Sequence, residues 1–356
     1  MKSVNSHQTG ITTRVNVVIS SPLECHYVDQ IAAVDPRIQV LYEPDLLPTA
    51  RYVSDHVGDA AKLTTYQLEQ WRELTRAADV SFDFDRRFAK DFNQFYPRVR
   101  WIQATSSGLG QVLDEFPVDF TKVTVTTAAG VHGEPLAEFV LASVLYFVKR
   151  FPELRRWQAE HRWTRYTSRS LLGQRALVVG LGHVGRRTAE MLTAAGMEVI
   201  GAVRSIGSSS ASTHSGASEL IAFDSILDVL PTTDYLVLCC PLTAETTNLI
   251  NAECIDAMRP GAVLINIARG GVLDESALER ALKSGRMGGA ALDTTAIEPL
   301  PRESALWDMG NVLISPHSAS TVVAENQRIT DLFCENLRRW LRNDELVNVY
   351  DPARGY

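Results

Sequence analysis

Short runs of β-branched and aliphatic residues recur along this chain, and between them apolar positions return with helical spacing. Val15-Asn16-Val17-Val18-Ile19-Ser20 is one such run; it stops at Ser21-Pro22 and predicts a first buried strand leading into a helix. Val99 to Ala104 predicts another. From Arg175 onward the alternation is regular. Ala176 to Val179, Val199 to Val203, Tyr235 to Cys239, Val263 to Ile267, Gly289 to Leu292 and Val312 to Ile314 read as strands separated by helical stretches, the pattern of a parallel sheet covered on both faces. Helical spacing is visible around Tyr66 to Leu74, within the segment Tyr42 to Asp85, whereas the loop Leu47 to Gly58 has no clear period. Pro135 suits the first position of a helix. Leu136 to Arg150 is then apolar nearly all round, which predicts a helix buried on most sides, as between domains or subunits. A domain boundary falls just before it.

Length and charge narrow the picture. With 356 residues, 45% of them hydrophobic and 22% charged, the chain suits two globular domains. A net charge of -7 without long Lys/Arg blocks gives no electrostatic footprint for nucleic acid, so none is expected as a partner. The five cysteines (Cys25, Cys239, Cys240, Cys254, Cys334) show neither paired nor metal-type spacing; they read as buried small hydrophobes of a reducing, cytoplasmic compartment, with no metal site. Met1 to Thr13 is polar and reads as a frayed tail rather than a signal peptide. Leu136 to Val148, the most apolar stretch, falls short of the roughly 20 residues needed to span a bilayer and contains Glu138, so no membrane segment is expected. Ser205 to Ser218 is a loop by composition.

The first chemical signal is a glycine turn. Ala176 to Val179 runs into Gly180-Leu181-Gly182-His183-Val184-Gly185, and Arg186 to Ala195 reads as a helix ending before Gly196. In that context the first glycine permits the tight turn, the second lets the backbone approach a pyrophosphate, and the third lets the helix pack close, with its N-terminal N–H groups aimed at the anion. The segment from about Leu171 to Ser205 therefore reads as a nicotinamide dinucleotide site. The second strand ends in Val203-Arg204-Ser205, without the carboxylate that would bind both ribose hydroxyls of NAD. A guanidinium beside a hydroxyl favours NADP over NAD, although Arg204 could also be a solvated loop arginine.

Three later strand ends carry polar residues that their surroundings do not explain: Ile267-Ala268-Arg269 between Asn266 and Gly270-Gly271, Leu292-Asp293 followed by Glu298-Pro299, and Ser315-Pro316-His317. In an open parallel sheet, ligands bind beyond such ends. Asp274 reads as the cap of the next helix. With Ala104-Thr105-Ser106-Ser107-Gly108, Gly130-Val131-His132-Gly133 through Ala137-Glu138, the glycine turn and Pro241-Leu242-Thr243 with Thr246, these motifs cover most of the chain, and the sequence resembles the D-isomer-specific 2-hydroxyacid dehydrogenases.

The resemblance implies an α/β fold of two Rossmann-like, doubly wound domains. The dinucleotide-binding domain (131–320) would be inserted into a flavodoxin-like substrate domain (1–130 and 321–356). It implies Arg269, Glu298 and His317 as the catalytic set of an NADP(H)-linked 2-oxo acid reductase acting on glyoxylate, hydroxypyruvate or a related acid. Chemistry supports those residue types. Hydride delivery to a 2-oxo acid leaves a developing alkoxide that needs a proton donor within reach, which suits His317; a paired carboxylate, Glu298, orients the imidazole. Arg269 would bind the substrate carboxylate and polarise the carbonyl. By the same resemblance, backbone N–H groups of Ser106, Ser107, Gly108 and Leu109 would hold the other carboxylate oxygen. Asp293 would lie at the nicotinamide carboxamide, and further cofactor contacts would come from Gly180, Gly182, His183, Val184, Gly185, Arg204, Ser205, Cys240, Pro241, Thr246, Ile267, Ala268 and His317. A homodimer is implied, in contact through Leu136 to Arg150 and the stretch to Trp163.

Elsewhere the plainer readings prevail. His183 faces solvent or phosphate, His132 joins the domains, and His7, His161 and His214 are surface residues. Trp307 reads as a packed aromatic, although the resemblance places it near the active-site rim; Tyr52, His56, Trp71, Phe82 and Phe84 read as core or loop packing rather than substrate contacts. Competing functions are a formate dehydrogenase, which Glu298 argues against, since that enzyme pairs its histidine with glutamine, and a phosphoglycerate dehydrogenase, whose regulatory tail the remaining length leaves no room for. A dinucleotide-sensing corepressor is the alternative of another class.

Overall fold

Alternation along Val15–Ile19 (β1) sends Val15, Val17 and Ile19 into one apolar cluster and Val18 into another. A strand buried on both faces belongs in the interior of a parallel sheet. In the computed structural model, which describes residues 14–60, 62–113, 115–206 and 216–355, β1 lies between Ile38–Leu41 (β2) and Val80–Phe82 (β3), and Trp101–Gln103 (β4) and Thr124–Thr126 (β5) follow. All pairings are parallel, in the order β2-β1-β3-β4-β5. That order is flavodoxin-like. The helix Glu325–Arg342 returns to this sheet, where Phe333 meets Phe82 edge-on with centroids 5.2 Å apart and stacks on Trp101 at 5.0 Å. Two compact units result, Met1–Val131 with Thr321–Tyr356, and His132–Ser320.

The second unit holds a seven-stranded parallel sheet. Its strands are Arg175–Val179 (β6), Glu198–Val203 (β7), Glu219–Ala222 (β8), Tyr235–Leu238 (β9), Val263–Asn266 (β10), Gly289–Leu292 (β11) and Val312–Ile314 (β12). Leu177, Val179, Leu236, Leu238 and Leu264 fill one face; Ala176, Val178, Tyr235, Val237 and Val263 fill the other. The period of two explains why these strands read as continuous apolar runs. The order is β12-β11-β10-β9-β6-β7-β8. The chain runs outward from β6 to β8 and then resumes at β9 on the other side of β6, which makes the carboxyl ends of β6 and β9 the switch point where open α/β sheets bind ligands.

Several elements differ from expectation. β2 and β8 are short edge strands, β3 and β5 have three residues each, and none carries a run long enough to stand out. The helix Gly133–Val148 begins two residues before Pro135, which is its third residue; the first turn still tolerates a missing N–H. That helix is, as expected, buried or half-buried over most of its surface, with one exposed stripe. Val140, Val144 and Val148 face inward, while Glu138, Ala142 and Leu145 are exposed. Cys240, Cys254 and Cys334 are buried as expected, Cys239 is half-buried, and Cys25, the first residue of the helix Cys25–Ala32, is exposed.

The aperiodic loop has its own organisation. Asp55 is only 3% exposed. Its carboxylate accepts from the Arg51 N–H at 3.0 Å, Arg51 Nε at 2.7 Å, Val57 N–H at 3.2 Å and Gly58 N–H at 2.9 Å. These contacts outweigh burial and hold the Asp55 pKa well below the ordinary carboxylate value. Thr49 and Asp59 close the loop with an antiparallel bridge. Met1 to Thr13, the interior of the Ser205 to Ser218 stretch, and with them His7 and His214, lie outside the described residues. No helix among the described residues is long and apolar enough to cross a membrane.

Candidate active site

The glycine turn sits at the carboxyl end of β6. Gly180 has φ +93°, and a Cβ there would come within 2.7 Å of the Cys240 backbone. A Cβ on Gly185 would lie 1.8 Å from the Gly180 carbonyl oxygen, so the close helix approach requires glycine. Around Gly182 the space is open: among the described residues, apart from its neighbours in the chain, no heavy atom lies within 4 Å of where a Cβ would stand. The helix His183–Ala194 starts here without a side-chain cap, and a first turn leaves its N–H groups without intrahelical acceptors. This cradle fits a pyrophosphate.

The surrounding loops are fixed by their own hydrogen bonds. Thr246 is buried; its hydroxyl donates to the Pro241 carbonyl at 2.6 Å and accepts from the Thr243 N–H at 2.8 Å, which folds the segment from Pro241 to Thr246. Cys240 is buried beside Gly180, and burial pushes its thiol up to about 12; Cys239 is pushed up by the same cause. Thiols raised in this way are poor nucleophiles. Arg204, at the end of β7, is half exposed with its Nη1 3.6 Å from Glu245 Oε2, and Ser205 is exposed beside it.

At the end of β10, Ile267 and Ala268 are buried, and Asn266 shapes the turn that presents the arginine. Its Oδ1 accepts from the Ala268 N–H at 3.0 Å and its Nδ2 donates to the Arg269 carbonyl at 3.2 Å. Arg269 Nη1 donates to the Ala268 carbonyl at 2.8 Å. Burial lowers the Arg269 pKa, opposed by the negative charges of Glu298 and Asp293. A guanidinium stays charged in such surroundings. Asp274 caps the helix Glu275–Lys283 by accepting from the Ala277 N–H at 2.9 Å.

The next two strand ends interlock. Asp293, 4% exposed at the end of β11, accepts with one oxygen from the Ser315 hydroxyl at 2.6 Å and from the Ser318 and Ala319 N–H groups at 2.9 Å each. Its carbonyl accepts from the His317 N–H at 2.9 Å. His317, held at φ +52°, is thus fixed on both sides by a residue of the neighbouring strand. Its Nδ1 lies 2.8 Å from Glu298 Oε2, and Glu298 Oε1 accepts from the Thr295 N–H at 3.1 Å. Burial pushes the Glu298 pKa up, but the His317 hydrogen bond and charge, the Thr295 N–H and Arg269 outweigh it, and the net displacement is downward. An ionised carboxylate only accepts, so Nδ1 carries the hydrogen and Nε2 is the nitrogen left to exchange a proton.

Arg269, Asp293, Glu298 and His317 therefore share one end of one sheet, together with the glycine turn. Ser106 to Leu109 belong to the first unit, after β4, where the Ser107 hydroxyl donates to the Ala128 carbonyl at 3.0 Å, the Ser106 carbonyl accepts from the Ala128 N–H at 3.0 Å, and Leu109 is buried. In the same unit Trp71, Phe82 and Phe84 are buried, and His56 Nδ1 lies 3.1 Å from the Ser21 hydroxyl. Tyr52 and Trp307, expected to be packed, are each 51% exposed. The Arg51 guanidinium lies over the Tyr52 ring, and Trp307 Nε1 donates to the Pro301 carbonyl at 2.9 Å. His161 and His183 are exposed, and His132 is buried at the start of its helix. Sequence reasoning missed Thr295 and the Ser318 and Ala319 N–H groups, which act through backbone and leave no residue signature, and Glu245, whose local pattern is that of an ordinary loop acid.

With this arrangement established, similarity to known proteins is informative. The family model of the D-isomer specific 2-hydroxyacid dehydrogenase NAD binding domain matches residues 141–319. The chain belongs to this family. Hydroxyphenylpyruvate reductase of Plectranthus scutellarioides is 33% identical over 245 residues, 68% of this chain and 75% of that protein. Glyoxylate reductase of Thermofilum pendens is 34% identical over 257 residues, 70% of this chain and 74% of that protein. The D-isomer specific 2-hydroxyacid dehydrogenase of Xanthobacter autotrophicus, solved with NADPH and MES, superposes with a TM-score of 0.77 at 28% identity, covering 97% of this chain and 100% of its own. As a D-isomer specific 2-hydroxyacid dehydrogenase the chain is an NAD(P)-dependent oxidoreductase with the two-domain Rossmann-like architecture.

Proposed function

We propose that this chain is an NADP(H)-preferring reductase of 2-oxo acids such as glyoxylate or hydroxypyruvate, with His317 as general acid, Glu298 orienting it and Arg269 binding the substrate carboxylate. The observation that carries this reading is the 2.8 Å contact between His317 Nδ1 and Glu298 Oε2 at the end of the sheet that also carries a half-buried, charged Arg269. The turn Gly180 to Gly185, with Arg204, Ser205, Cys240, Pro241, Thr246, Ile267, Ala268 and Asp293, would hold the dinucleotide, which when bound supplies a hydride to the carbonyl carbon. Arg269 draws electron density toward the carbonyl oxygen and anchors the carboxylate. Protonated His317 gives its Nε2 proton to the developing alkoxide, and Glu298, its pKa lowered, stays ionised to stabilise the imidazolium it faces. In oxidation neutral His317 takes the proton back. We read the first unit, with Ser106 to Leu109 as its substrate-binding residues, as the substrate domain, and His132–Ser320 as the dinucleotide-binding domain.

A homodimer fits the apolar residues left open near the helix Gly133–Val148: Leu145 is 37%, Phe151 44% and Trp163 98% exposed. The unpaired cysteines fit a reducing cytoplasm.

The test is oxidation of NADPH and NADH by the purified protein with glyoxylate, hydroxypyruvate, pyruvate and phenylpyruvate. No turnover with any of these acids removes the proposed substrate class. His317→Ala lowers kcat at least ~100-fold with dinucleotide affinity retained; near-normal turnover removes its role.

A further inference from the structure

Arg204 follows β7 and Glu245 belongs to the loop after β9, while β6, which ends in the glycine turn, lies between those two strands. The two side chains reach toward each other across the carboxyl end of β6, spanning about two strand spacings, or ~10 Å. They meet with Nη1 3.6 Å from Oε2. Among the described residues neither side chain forms another ion pair, so the contact is a single strap across the mouth of the turn. Both are more than half exposed, at 51% and 61%, which makes the pair weak and easily opened.

Any dinucleotide cradled by Gly180 to Gly185 extends its adenosine half toward the end of β7, under this strap. There the strand end itself offers no carboxylate, since it reads Val203-Arg204-Ser205. Glu245 supplies one from the neighbouring loop. We propose that Glu245 is a second determinant of cofactor choice: it competes with a ribose 2'-phosphate for the Arg204 guanidinium, and it accepts a ribose hydroxyl when that phosphate is absent. This rests on the assignment of Arg204 to the 2'-phosphate.

Two consequences follow from charge alone. A 2'-phosphate carries between one and two negative charges near neutral pH, and gripping Arg204 brings it close to the Glu245 carboxylate. The like charges repel, and Arg204 must leave its partner. Without the phosphate, the pair persists and the carboxylate takes the role that a strand-end Asp or Glu has in an NAD site. Glu245 therefore tempers the NADP preference set by Arg204 and keeps NADH usable.

Equilibrium titrations of the full chain with NADPH and NADH, read by nicotinamide fluorescence without any 2-oxo acid, test this. Glu245→Gln tightens NADPH by about 3–10-fold, the size of one screened charge repulsion, and weakens NADH. The NADPH effect shrinks in high salt and falls below about 2-fold when Arg204 is already alanine, because the competition runs through that guanidinium. Both positions are exposed, so melting temperatures serve as the folding control. A Glu245→Gln protein with an unchanged ratio of NADPH to NADH affinity overturns the role of Glu245, even where Arg204→Ala weakens NADPH alone. Arg204→Ala weakening both dinucleotides equally overturns the 2'-phosphate assignment and, with it, the competition.

Discussion

Asp293 should act on the fold of the His317 loop before it acts on any ligand. One of its oxygens accepts three hydrogen bonds, from the Ser315 hydroxyl at 2.6 Å and the Ser318 and Ala319 N–H groups at 2.9 Å. Asp293→Ala removes all three. The hydroxyl can rotate to another acceptor, but the two N–H groups cannot, and each unsatisfied donor in a half-buried loop costs about 1–2 kcal/mol. The expected loss is about 2–4 kcal/mol, which for a unit of this size lowers the melting temperature by about 4–16 °C. Asp293→Asn keeps one acceptor oxygen without its charge and should lose about half as much. Melting is measured without dinucleotide, so that a contact with nicotinamide contributes nothing, and amide exchange at Ser318 and Ala319 should accelerate in the alanine variant. Catalysis should fall about 100-fold as His317 loses its fixed position. If Asp293→Ala melts within about 1 °C of the parent with unchanged exchange, the loop is held by something else and the reasoning fails.

Asp55→Asn should destabilise the first unit by about 2–3 kcal/mol near neutral pH, because the buried carboxylate with its Arg51 and backbone donors is lost. Since the folded pKa of Asp55 is depressed, that contribution is present above the unfolded value near 3.9 and shrinks as pH falls toward the folded one. Urea unfolding at pH 7 and at pH 3 should therefore show parent and variant converging in acid, and a constant gap contradicts the sign. Gly185→Ala places a methyl group 1.8 Å from the Gly180 carbonyl oxygen, so the helix His183–Ala194 must shift. Dinucleotide affinity by fluorescence titration should drop at least 10-fold, whereas retained affinity means that the turn has slack.

What could be read from the sequence divides along a physical line. Most of the second unit was legible because its inner strands are buried on both faces. Leu177 and Val179 point one way and Ala176 and Val178 the other, and a strand apolar on both sides stands out from the helices around it. The first unit was less so. β3 is central and fully buried, yet it has only three residues between Asp79 and Asp83, too few to establish a period. The loop after β2 is ordered by charge rather than by apolar spacing, around the Asp55 carboxylate and main-chain donors that no hydropathy pattern reports. The same distinction runs through the candidate site. Arg269, Glu298 and His317 stood out as polar residues near strand ends and were joined into one set by the family resemblance, whereas the groups that hold them, Thr295, Ser318 and Ala319, contribute N–H donors that any residue but proline could offer. Glu245 marks the limit of linear reading. Its relation to Arg204 exists only because β6 lies between β7 and β9, a fact of strand order that becomes visible when the sheet is assembled. A cofactor preference inferred from the strand end alone therefore counted the guanidinium and omitted the carboxylate opposite it.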